Sequence, residues 1–226
     1  MVFFLSFLVL TTIVLPVVTL SLVGRLALSL AFALTLIFGA SATIRHWAAI
    51  YLVIGLSIAT FAMDLIIEVG RAHGLAGVDT ALRAASLLIM FCVTLKRTLR
   101  PGRIDGYRVL GGIAGYLLIG LTWTFAYQFL VQQAPSAIYF EPGVPESFPR
   151  QPSHLIYFSF ITLTTVGFGD IRPVTPVARA MTMAEALVGQ LYIAILIASL
   201  VGMALQGTSV GDEEAGNRVS TKPAAG

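Results

Sequence analysis

Long apolar runs alternate with short polar breaks along this chain, and the runs have the lengths that a bilayer demands. An α-helix rises about 1.5 Å per residue, so about 20 apolar residues cross a hydrocarbon core of about 30 Å. Five runs reach or approach that length: Val2–Val23, Leu26–Ile44, Trp47–Val69, Leu110–Val131 and Pro176–Leu205. A sixth, Val78–Leu95, is interrupted in its first turns by Asp79 and Arg83. Between the last two full runs lies a shorter apolar piece, Leu155–Leu163. It is too short to cross, so it must enter the membrane and return to the same side. The pattern predicts an all-α transmembrane fold with six spans and one re-entrant helix.

Composition agrees with this pattern. Of 226 residues, 57% are hydrophobic and only 11% charged, with a mean hydropathy of +0.89. Soluble domains carry roughly 25% charged residues, so lipid is the solvent for most of this chain. The net charge is a mild +3, and the basic residues gather in one loop. There Lys96, Arg97, Arg100, Arg103 and Arg108 face a single acid, Asp105. The positive-inside rule puts that loop in the cytoplasm. Both termini are then cytoplasmic, and the stretch from Gln132 to Pro176 lies outside. The other loops carry Arg25, Arg71, Arg150 and Arg172 on the outer side, so one loop sets the orientation. The clustering is a topology signal and points to no nucleic-acid partner. The first run lacks a basic leader and exceeds the length of a signal core, so it reads as a retained span. The tail from Gln206 to Gly226 is polar and small and reads as disordered, with no regulatory domain expected after it. Cys92 is alone, which excludes an intrachain disulfide, and it reads as a small apolar packing residue.

The segment Thr164-Thr165-Val166-Gly167-Phe168-Gly169-Asp170 follows directly on the short re-entrant helix. A cation that sheds its water there needs replacement oxygens spaced along a narrow axis. Backbone carbonyls can supply them if consecutive residues point them the same way. An ordinary strand alternates its carbonyls, so the backbone must instead alternate between right- and left-handed conformations. Glycine takes positive φ at little cost, and it occurs here at every second position, Gly167 and Gly169. The carbonyls of Thr165, Val166, Gly167 and Phe168 are then expected to ring a potassium ion, with the Thr165 hydroxyl adding the innermost site.

This segment resembles the selectivity filter of the potassium-channel family. The resemblance extends over about Leu110 to Leu205. Tyr157-Phe158-Ser159 matches the aromatic positions of the family's pore helix, which implies a cuff of side chains packed around the filter. Pro173, Thr175 and Arg179 match the outer mouth and the start of the inner helix. Gly189 falls where the family carries its inner-helix hinge. Phe168 stands in place of the commoner tyrosine and lacks the hydroxyl that could bond to the cuff. Ile161 occupies a position where some members place a carboxylate that bonds the residue after the filter, so Asp170 must find another partner, such as a backbone N–H or the cuff. Ile193 and Ile197 are expected to face the cavity by their distance from Gly189. Thr164, at the end of the pore helix, would stand where the negative end of the helix dipole faces cations.

Several residues remain open on sequence alone. Glu185 is a carboxylate inside an apolar helix. It is either a hydrogen-bonded brace behind the filter, toward Thr162 or Thr164, or a group that meets water or Arg179. Gln190 is similarly ambiguous. Ala194, Ala198 and Gly202 form a stripe of small residues suited to close helix contact, as do Gly111 and Gly115. A voltage sensor needs several arginines three apart within the fourth span, and Arg83 alone lies there. Asp64 and Glu68, one turn apart, could be its counter-charges or could sit at the interface. His46, His73 and His154 are expected near interfaces without metal-ligand neighbours. Five prolines between Pro135 and Pro152 predict a rigid outer turret, where Glu141 and Glu146 could concentrate cations.

The chain therefore divides into a four-helix region (1–104), a pore module (105–206) and a tail (207–226). No catalytic constellation and no cofactor are expected; potassium is the permeant ligand. One copy of the loop per chain implies a homotetramer, because a ring of carbonyls takes four symmetry-related loops. The short chain, its compact loops and the absence of N-x-S/T sites point to a bacterial inner membrane. Two alternatives stand beside the potassium channel: a poorly selective cation channel, and a non-conducting membrane scaffold or sensor that retains the pore fold.

Overall fold

The computed structural model describes residues 2–14, 30–39, 47–70, 76–99, 106–141 and 152–220. Helix α1 (Val2–Val9) runs into a π-helical turn, Leu10–Val14. Helices α2 (Leu30–Gly39), α3 (Trp47–Gly70), α4 (Ala76–Thr98) and α5 (Gly106–Gln133) follow. Next come strand β1 (Ile138–Phe140), helix α6 (Pro152–Leu163), strand β2 (Ile171–Pro173) and helix α7 (Pro176–Ser220). Among the described residues, three helices are long and apolar enough to cross a membrane: Ala76–Thr98, Arg108–Gln133 and Pro176–Met203. Parts of the two first expected spans, residues 15–29 and 40–46, lie outside the described residues.

The interior is built on α5. Its Ala114, Leu118, Leu121 and Phe125 pack with Phe4 and Leu8 of α1, Phe32 and Leu36 of α2, Leu87 and Met90 of α4, and Ile156 of α6. Toward the other end of α5, Tyr127 and Val131 pack with Leu155 and Phe158 of α6, Ile138, Ile171 and Ala178. Several hydroxyl groups inside these helices are satisfied by the preceding turn. Thr12 bonds the Leu8 carbonyl at 2.7 Å and Thr124 that of Gly120 at 2.9 Å. Such back-bonding lets threonine sit in an apolar environment without an orphaned donor.

The two charges that interrupt α4 neutralise each other. Arg83 Nε donates to Asp79 Oδ2 at 2.8 Å, one turn apart, and both residues are 6% exposed. The guanidinium also lies 5.2 Å from the Phe32 ring centroid and 5.9 Å from that of Phe125. Arg83 thus has a partner on its own helix. The Asp64 and Glu68 side chains lie outside the described ones.

Two features depart from the expected pattern. The segments flanking the pore loop form a small antiparallel ribbon, with Ile138 opposite Pro173, Tyr139 opposite Arg172 and Phe140 opposite Ile171. The Arg172 guanidinium sits 4.4 Å from the Tyr139 ring centroid, a cross-strand cation–π pair. The fold is mostly helical and not wholly so. In addition, α7 continues to Ser220, where a structureless tail was expected. The stretch from Val177 to Lys222 contains no proline, so nothing blocks the backbone ladder that α7 has already nucleated.

Candidate functional site at the pore loop

The site is assembled where α6 stops. Gly120 of α5 lets α6 approach closely; a Cβ there would stand 2.5 Å from Phe160 Cζ. After Leu163 the chain turns back along its own helix. Thr165 N–H donates to the Thr162 carbonyl at 2.9 Å, and the Ile161 carbonyl accepts from both Val166 N–H (2.9 Å) and Gly167 N–H (3.2 Å). The amides of the loop are thus held on the α6 side.

The backbone of the loop alternates in handedness. Gly167 has φ +53° and Gly169 φ +88°, at the two positions where glycine was expected to permit it. Thr165 joins them at φ +60°. A β-branched residue in this region is strained, and sequence reasoning missed it because no composition rule flags threonine there. With residues 165, 167 and 169 left-handed, successive peptide planes turn the same way, and a row of carbonyl oxygens can face one axis. Val166 is 54% exposed and Phe168 71% exposed in the single chain, so this face is open to an ion or to further protein.

The supporting residues divide by side of α6. Tyr157, on the loop side, is half-exposed. The Oδ1 atom of Asp170 is buried and has no hydrogen-bond partner among the described residues. The Asp170 carbonyl accepts from Glu141 N–H at 3.1 Å. Phe158 points the other way: it is 2% exposed and packs edge-on against Tyr127, with centroids 4.9 Å apart. It belongs to the core behind the loop and not to a cuff around it, since a helix turns neighbouring side chains about 100° apart. Thr164 bonds the Phe160 carbonyl at 2.7 Å.

Glu185 is fully buried. Its Oε2 accepts from Tyr127 Oη at 2.6 Å, and its Oε1 lies 2.5 Å from Ser159 Oγ. Glu185 is hydrogen-bonded behind the loop, and its partners are these two residues and not Thr162, Thr164 or Arg179. The signal was present in the sequence: a buried tyrosine hydroxyl inside an apolar helix needs a partner, and Tyr127 was passed over. Gly189 lies against the end of α6, where a Cβ would stand 2.5 Å from the Leu163 carbonyl oxygen. Helix α7 runs unbroken through it, and the close approach of α6 requires glycine here. Gln190 Nε2 reaches to 3.5 Å from Thr165 Oγ1, and Ile193 and Ile197 are exposed in the single chain.

This geometry lies within the part of the chain that a family model matches. Residues 115–206 match the family described as "Ion channel". "Protein LctB" of Geobacillus stearothermophilus is 30% identical over 132 residues, which cover 57% of this chain and 94% of that protein. The chain belongs to the ion channel family. The "Two pore potassium channel c" of rice, Oryza sativa subsp. japonica, is 31% identical to this channel-family chain over 86 residues. That match covers 35% of this chain and 19% of the rice protein, so the chain spans about a fifth of that relative. An uncharacterized protein of Methanothermus fervidus is 45% identical over 51 residues, 8% of its length. No solved structure matches this family member. The chain is a channel-type membrane protein and not an enzyme.

Proposed function

We propose that the chain is the subunit of a potassium-selective channel, in which the carbonyls of Thr165, Val166, Gly167 and Phe168 and the Thr165 hydroxyl replace the hydration shell of passing potassium ions. The observation that carries this reading is the alternation of left-handed backbone at Thr165, Gly167 and Gly169. It is the local conformation that stacks main-chain oxygens along an axis, and few other purposes account for three such residues in one short loop. Gly169 extends the row, while Thr164, Asp170, Tyr157 and Glu185 hold it from outside. Phe158 supports it through the core behind α6.

One loop supplies one side of a ring, so four chains assemble around the axis. The exposure of Val166 and Phe168 supports this, as does α7, whose membrane-length window is only 11% buried within the chain. In the assembly, Ile193 and Ile197 line the cavity below the loop, Gly189 admits α6 against the inner helix, and lipid covers the remainder. The proposed topology keeps six spans, both termini in the cytoplasm and the β1–β2 ribbon outside, in a bacterial inner membrane. Residues 1–104 form a helical region without a voltage sensor's row of arginines, 105–206 the pore, and 207–226 a cytoplasmic extension. Potassium moves passively, and no cofactor is needed.

Purified protein in liposomes tests this directly. Rubidium should enter down a potassium gradient, and bi-ionic reversal potentials should favour potassium over sodium. Equal permeability to the two ions would replace the reading with a poorly selective cation channel. Absence of any flux from correctly inserted protein would leave a scaffold.

A further inference from the structure

The oxygen atoms around Glu185 make more close contacts than their hydroxyl groups have hydrogens. Ser159 Oγ of α6 lies 2.8 Å from the Gly120 carbonyl oxygen of α5 and 2.5 Å from Glu185 Oε1 of α7. Tyr127 Oη of α5 lies 2.6 Å from Glu185 Oε2. A carbonyl and an ionised carboxylate accept only, and serine and tyrosine bring one hydrogen each. Three contacts therefore share two hydroxyl hydrogens. The neighbouring Thr182 adds none, since its hydroxyl is bound to the Ala178 carbonyl at 2.8 Å.

If Ser159 donates to Gly120, the 2.5 Å contact to Glu185 is bare. If it donates to Glu185, two acceptor oxygens face each other at 2.8 Å. A hydrogen on Oε1 resolves both at once: Glu185 donates to Ser159, Ser159 donates to Gly120, and Tyr127 donates to Oε2. Electrostatics agrees. Glu185 is 0% exposed, and among the described residues no Lys or Arg pairs with it; Arg179 is exposed. A buried carboxylate without a cation is costly, whereas a neutral acid with both oxygens bonded is not.

We propose that Glu185 is held as the neutral acid, and that its proton completes a three-helix latch joining α5, α6 and α7 behind the pore loop. Glu185 is then a positioning residue. It fixes α6 through Ser159, and α6 in turn presents the Ile161 carbonyl that holds the Val166 and Gly167 amides. The effect on conduction rests on the channel reading; the proton does not.

Two measurements on the full chain in liposomes test the latch. Difference infrared spectra of protein with and without carboxyl-labelled glutamate should show a protonated-acid C=O stretch at neutral pH, and Glu185→Gln should remove it. A spectrum in which Glu185→Gln deletes only carboxylate bands would overturn the proposal. This readout is independent of ion flux, so it stands even if the pore carries another ion or none. The second measurement is rubidium uptake. A glutamine can donate to Ser159 and accept from Tyr127, reproducing the neutral acid, whereas leucine can do neither. Glu185→Leu should lower the initial rate at least tenfold, and Glu185→Gln should recover most of that loss. Equal loss in both variants would count against the neutral-acid latch, and if Glu185→Leu fails to insert, the infrared result decides.

Discussion

At Gly167 no heavy atom lies within 4 Å of the place a Cβ would occupy, yet φ is +53°. A side chain there meets no steric barrier, and its cost is purely conformational. An alanine in the left-handed region costs about 1–2 kcal/mol, and a ring of four copies incurs it four times. Gly167→Ala should therefore abolish rubidium flux while leaving insertion intact, measured as liposome uptake against membrane-fraction yield. Gly189 presents the opposite case. Its φ is not left-handed, and a Cβ would collide with the Leu163 carbonyl. Overpacking of this kind costs about 1–3 kcal/mol, so Gly189→Ala should lower the thermal midpoint in detergent. The two glycines differ in what the sequence could reveal. Gly167 and Gly169 announce themselves by their spacing. The contact at Gly189 is long-range, and only the folded chain shows that α6 ends against it. The strained Thr165 was invisible for the same reason: its left-handed φ is imposed by the bonds of the turn around Ile161 and Thr162, not by any preference of threonine.

On the scale of helices, hydropathy located the three described helices long and apolar enough to cross a membrane, because lipid imposes both length and composition. It could not show how α4 tolerates two charges. Breaking a buried ion pair by removing one partner costs about 3–5 kcal/mol, so Arg83→Leu should destabilise the protein by that order. Replacing Asp79 with leucine as well should recover part of the loss, as read by a double-mutant cycle of thermal stability. Because Arg83 is bound to its own helix and stacked on Phe32 and Phe125, the current–voltage curve of the Arg83→Leu, Asp79→Leu double variant should keep the wild-type shape. The β1–β2 ribbon lay below the reach of sequence reading. Three residues per strand carry too little alternation to register, and the pairing joins positions separated by the entire pore loop.

For the molecule as a whole, the proposed assembly leads to a count. Native mass spectrometry from mild detergent should give four chains per particle, and Phe168→Ala should weaken the tetramer if this exposed ring is covered by a neighbour. The expected subunit number rests only on the chemistry of the loop, since nothing in a single chain's hydropathy specifies its partners. The ribbon has one more consequence at this scale. The Ala137 carbonyl accepts from Val174 N–H at 2.9 Å, and Glu141 N–H donates to the Asp170 carbonyl at 3.1 Å. The excursion between the two strands is therefore closed at its base, like a purse drawn shut by its string. In the proposed channel, a mechanical pull that separates α5 from α7 should load that seam, and the seam should shelter the proposed ion path from membrane tension while it holds.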